Sequence, residues 1–106
     1  MNDAMTLPTE KRTLLTVITE AAIEQVLLRD IEQLGVRGYT VSDARGRGHR
    51  GVRDAAWGEA ANIRIEVICS RIQADTLLEH LQARYYADYA MVAFLQDVEI
   101  LRPDKF

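Results

Sequence analysis

Twice along this chain a short extended apolar run, β-branched in the first case and alternating in the second, gives way to an apolar stripe at three- and four-residue spacing, and each time another extended run follows. Leu14 to Thr19 (LLTVIT) is short, apolar and β-branched, which predicts a first strand. From Thr19, read as an N-cap, Ala22, Ile23, Val26, Leu27, Ile31 and Leu34 mark a helix that Gly35 stops. Gly38 to Asp43 (GYTVSD) alternates and predicts a second strand. Asn62 to Cys69 (NIRIEVIC) is a third, with Ile63, Ile65, Val67 and Cys69 on one face and Asn62, Arg64 and Glu66 on the other. Ser70 and Gln73 form a capping box for a second helix whose stripe is Ile72, Leu77, Leu78, Leu81 and Tyr85. Ala90 to Ile100 is the last strand, after the aromatic turn YYADYA.

The order βαββαβ is that of an α+β, ferredoxin-like domain: a four-stranded antiparallel sheet with two helices on one face. The other face needs cover. At 106 residues there is room for one domain with a modest core, so association with copies of itself is expected. Residues 1–12, polar and containing Pro8, read as a flexible arm, residues 13–106 as the domain, and 45–61 as a loop held at a strand end.

That loop carries the chemistry. Of thirteen Lys and Arg side chains, Arg45, Arg47, Arg50 and Arg53 fall between Asp43 and Asp54 with no acid among them, on a chain of net charge −3. Such a balance argues against a nucleic-acid binder, which needs a broad basic field, and suits a small anion. Arginine forks match phosphate oxygens, and the interleaved Gly46, Gly48 and Gly51 let main-chain N–H groups turn toward an anion. The same glycines satisfy G-x-G-x-x-G with Glu66 about twenty residues on, but no helix opens there: Val52 to Ala61 holds Trp57 and Gly58 and leads into a strand. A Walker loop is excluded by the missing Gly-Lys-Ser/Thr ending.

GYTV, then GRGHRGVR, then ANIRIE, then YYADYA, in that order over Leu14 to Leu101, resembles the PII-like proteins of bicarbonate metabolism, most of all the carboxysome-associated subgroup and next the bicarbonate-transporter-associated one. The resemblance implies a cytoplasmic homotrimeric sensor, not an enzyme, with adenine nucleotide in clefts between subunits and the loop folded over its phosphates. ADP or AMP are the leading ligands, with ATP, cyclic AMP and bicarbonate as further candidates, and no catalytic cofactor is implied. Carried across, Arg50 and Arg53 are phosphate ligands, and Arg47, Gly46, Gly48 and Gly51 line the site. Thr40 sits by the base or ribose, and the main chain around Tyr89, Ala90 and Met91 holds the adenine edge from the neighbouring side. The partner implied is a bicarbonate transporter or a carboxysome-related protein. The loop has no tyrosine to accept a uridylyl group, and LRPDKF lacks the paired cysteines of a redox-gated tail.

Other residues invite plainer readings. Cys69, the single cysteine, is expected to be a buried, inert thiol, and with one cysteine no disulfide forms within the chain. His49 lies in the loop, either assisting phosphate binding or standing by. His80 is expected on the helix surface, Trp57 is expected to pack on its own loop, and Arg64 and Glu66, neighbours on one strand face, are expected to form ion pairs across the sheet. No segment has the makings of a signal peptide or a membrane span. Two other classes stand beside the sensor: a slow nucleotide hydrolase, for which the loop offers no Asp/Glu pair or metal cluster, and a trimeric interaction module independent of nucleotide. An RNA-binding module of this fold needs aromatics on its central strands, and Asn62 to Cys69 has none.

Overall fold

A computed structural model describes residues 7–46 and 62–101. The elements are β1 (Glu10–Glu20), a 3-10 turn (Ala21–Ile23), α1 (Glu24–Gln33), β2 (Thr40–Ala44), β3 (Asn62–Cys69), α2 (Arg71–Arg84) and β4 (Met91–Ile100). They form one antiparallel sheet in the order β2-β3-β1-β4, the ferredoxin-like α+β arrangement that the periodicities predict.

The pairing assigns the faces. Leu15↔Val67 and Val17↔Ile65 put those side chains on the helix side, and with Ile63 and Cys69 they close a core against Leu27, Ile31, Ala74, Leu77, Leu81 and Tyr85. Residues one step along face away: Leu14, Thr16 and Ile18 of β1 lie opposite Ile68, Glu66 and Arg64 of β3 and opposite Gln96, Phe94 and Val92 of β4. Val92 and Phe94 are exposed on this second face. Thr16 in its midst is fully buried, and its hydroxyl has no partner among the described residues.

Five expectations change. β1 is longer than LLTVIT, because the alternation that buries Thr13 and Thr19 runs the strand from Glu10, inside the expected arm, to Glu20. Thr19 consequently caps no helix; its hydroxyl donates to the carbonyl of Ala90, and the helix opens through the 3-10 turn without a side-chain cap. Ile72, placed in the apolar stripe of α2, is 80% exposed, since the buried stripe is Ala74, Leu77 and Leu81. β2 starts two residues late, at Thr40, and β4 one residue late, at Met91.

The helix ends follow their residues. Gly35 adopts φ 98°, its N–H bonds to Glu32 O at 3.0 Å, and the N–H of buried Val36 reaches Ile31 O at 3.3 Å. This is the paired-bond ending that glycine permits at no steric cost. Ser70 accepts from the Gln73 N–H at 3.1 Å, the first half of the expected capping box.

Candidate functional site

The loop-bearing end of the sheet is set by register. Ala44 pairs with Asn62, Asn62 with Glu20, and Thr19 with Met91, so the end of β2, the start of β3, the end of β1 and the start of β4 lie in one row. Segment 45–61 joins the first two members of that row. Arg45 and Gly46, at its exposed start, therefore share a sheet end with Ala90 and Met91. They are not neighbours within the chain: β2 and β4 are the two edges, and three strand spacings put them about 14 Å apart. Arg47, Gly48, Arg50, Gly51 and Arg53, like His49 and Trp57, lie outside the described residues.

Thr40 stands elsewhere. It pairs with Glu66 at the other end of β2, exposed, on the helix-free face and about 13 Å along the strand from Ala44. Its neighbour Tyr39 donates to Glu32 Oε2 at 2.7 Å, and this bond to a carboxylate, with some burial, raises the phenol's pKa.

At the start of β4 the main chain is already engaged. Ala90 N–H donates to Glu20 Oε2 at 2.8 Å, and Ala90 O accepts from Thr19 Oγ1 at 3.1 Å. Tyr89 N–H closes the turn on Tyr85 O at 3.0 Å, and Ala93 N–H donates to the Tyr86 hydroxyl at 3.0 Å. Glu20 was no candidate in the sequence, where it read as part of a helix start; β1 had to extend to residue 20 before the role could be seen.

A second polar cluster lies between the helices. Asp30, 6% exposed, receives the Tyr85 hydroxyl at 2.5 Å, His80 Nε2 at 2.8 Å and, at 3.5 Å, Arg84 Nη1, all at Oδ2. Burial alone would push this carboxyl up; the bonds from Tyr85 and His80 and the charge of Arg84 outweigh it and hold it below the ordinary 3.8. Tyr85 moves the other way, to about 12, through burial and then through donating to Asp30. The Arg84 guanidinium also sits over the Tyr85 ring at 5.5 Å. The surface position expected for His80 is thus corrected: Asp30 draws the imidazole inward to half-burial. A signal existed, since Asp30 falls three residues after Leu27 on the apolar stripe of α1, where an acid demands partners.

Cys69 is 1% exposed, and burial raises its thiol pKa, as expected of an inert cysteine. Arg64 and Glu66, expected to form ion pairs across the sheet, instead pair with each other along one strand at 3.4 Å, because residues two apart share a strand face, and the pair is half-exposed.

The sequence pattern of nitrogen regulatory protein P-II matches residues 12–105. The chain belongs to the P-II family. Among solved PII-like structures, a signalling protein from Thermus thermophilus is 36% identical over 94% of this chain and 99% of its own, with a TM-score of 0.79. CPII from Thiomonas intermedia, bound to ADP and bicarbonate, is 25% identical over 95% of this chain and 99% of its own, with a TM-score of 0.81. The same protein bound to ADP, AMP and acetate superposes with a TM-score of 0.77 at 25% identity over 94% and 98%. The PII-like fold and the family resemblance drawn from GYTV, the arginine loop and YYADYA thus agree. No helix among the described residues is long and apolar enough to cross a membrane.

Proposed function

We propose that this protein is a PII-like regulator, not an enzyme, that binds ADP or AMP between the subunits of a homotrimer, with bicarbonate as second ligand. Loop ordering on binding then controls a cytoplasmic partner in inorganic-carbon uptake or carboxysome function. The observation that carries this reading is the single row of Ala44, Asn62, Glu20 and Met91. It brings Arg45 and Gly46, where the arginine segment starts, and the β4 start to one end of the sheet but on opposite edges, which supports a ligand that takes the two from two copies. The relative bound to ADP and bicarbonate supports the ligand class.

In this reading Arg50 and Arg53 hold phosphate oxygens, Arg47 with Gly46, Gly48 and Gly51 lines the loop side, and the neighbour's Tyr89 to Met91 main chain meets the adenine. Thr40, on the open face, contacts a nucleotide only if that ligand extends along β2 away from the loop. The helix-free face, with Leu14, Ile18, Ile68, Val92 and Phe94, supplies the apolar surface for trimer contact. Calorimetric titration with AMP, ADP, ATP and cyclic AMP, with and without bicarbonate, tests the proposal. Tight adenine-nucleotide binding that bicarbonate strengthens, lost in Arg50→Ala/Arg53→Ala while the trimer persists, is the expected result. Unchanged affinity in that variant removes the loop from the site, and no binding by the unmodified protein leaves an interaction module.

A further inference from the structure

We propose that Thr19 and Glu20 are positioning residues for the nucleotide: together they hold both main-chain groups of Ala90 against β1 and so turn the N–H and C=O of Met91 to the outer edge of β4. The inference rests on the nucleotide reading above and adds to it two side chains from β1, outside the arginine loop.

Ladder pairing does not hold Ala90, because β4 begins at Met91. What holds it is the Thr19 hydroxyl on its carbonyl at 3.1 Å and the Glu20 carboxylate on its N–H at 2.8 Å. Both contacts are committed. Thr19 is 1% exposed, so without Ala90 its hydroxyl is a buried donor with no partner, and an amide bonded to a carboxylate is stronger than a neutral pair.

Main-chain groups of successive strand residues point to opposite sides, so the inward grip on Ala90 sets the direction of everything after it. Ala93 confirms the phase. Its N–H goes to the Tyr86 hydroxyl, which belongs to the turn after α2, rather than to β1. Met91, two residues earlier, presents its N–H and C=O to the same outer side. One donor and one acceptor thus stand side by side on the edge strand at the loop-bearing end of the sheet, fixed by Thr19 and Glu20 before them and by Tyr86 after them. Release of the Ala90 grip lets the first residue of an edge strand fray and rotate, and the donor–acceptor pair at Met91 loses its fixed direction.

The test is titration of the full chain with ADP and with AMP, for the unmodified protein and for Thr19→Val, Glu20→Ala and Glu20→Gln. Particle mass, melting temperature and hydrogen exchange at the Ala90 amide are followed alongside. Glu20→Ala is expected to weaken ADP about tenfold, the worth of the charge-assisted hydrogen bond that no longer holds Ala90 in place, with faster Ala90 exchange, a modestly lower melting temperature and unchanged particle mass. Glu20→Gln, whose amide oxygen accepts the same bond, is expected to restore most of the affinity; Thr19→Val is expected to weaken binding several-fold. Unmodified affinity in all three variants overturns the positioning role and leaves the nucleotide reading standing. Losses equal in Glu20→Gln and Glu20→Ala that track melting temperature assign the effect to general stability and also overturn it. Failure of the unmodified protein to bind any nucleotide removes both the reading and the inference.

Discussion

The hydroxyl of Tyr85, at the end of α2, donates to Oδ2 of Asp30 in the middle of α1 at 2.5 Å, and so ties the two helices that cover the sheet. Its removal leaves a buried carboxylate with fewer donors. Tyr85→Phe is expected to lower unfolding free energy by about 2 kcal/mol, the worth of a hydrogen bond to a charged group. Asp30→Ala, which strands the donors of Tyr85 and His80 and opens space, is expected to cost about 3 kcal/mol. Urea unfolding of the two variants checks both.

The same pair sets two pH limits. The Asp30 carboxyl is lowered in the fold, so its contribution is complete above the unfolded value of 3.8 and is lost as pH falls through the lower folded value. Tyr85 is raised from 10.0 to about 12, so its contribution is complete below pH 10 and is lost between 10 and about 12. In Tyr85→Phe the alkaline loss of stability should be smaller over that upper window, as measured by unfolding at a series of pH values.

Among the described residues, Gly35 is the one whose backbone no side chain adopts easily. At φ 98° a Cβ is strained, and it would also stand 3.4 Å from Nε2 of Gln73. Gly35→Ala is expected to cost about 1–2 kcal/mol, and thermal unfolding should show it without loss of helical signal.

Thr16 gives the opposite sign. Its buried hydroxyl has no partner among the described residues, so Thr16→Val removes a desolvated polar group at nearly constant shape and is expected to raise stability by about 1 kcal/mol. A fall in stability would instead reveal a partner for this hydroxyl across the apolar face.

Phe94, beside Thr16 on that face and 38% exposed, reports on assembly. Phe94→Glu puts a charge where copies are proposed to meet and is expected to yield monomers by light scattering, with the far-ultraviolet spectrum intact.

The fold was legible where one physical signal acted alone. NIRIEVIC alternates without interruption, and β3 has the predicted bounds, Asn62–Cys69. The helix stop at Gly35 and the cap at Ser70 were readable because backbone conformation and short polar side chains act locally. Thr19 misled because its hydroxyl suits a helix N-cap as well as a distant carbonyl, and the choice was made by Ala90, seventy-one residues away in sequence. His80 and Ile72 failed for a related reason: which face of α2 is buried depends on Asp30 and the sheet, which helical spacing within α2 does not contain. Of the candidate site, Gly46, Ala90 and Met91 are brought to one sheet end, and Thr40 is set apart by the length of β2.

Because Gly46 and Ala90 stand on opposite edges of a single sheet, a ligand that touches both makes its own affinity depend on protein concentration. Dilution that separates the copies would release the ligand, and saturation with ligand would hold the copies together, by equal free energies in the two directions. A cell that changes how much of this protein it makes would then also change the nucleotide level at which the protein responds.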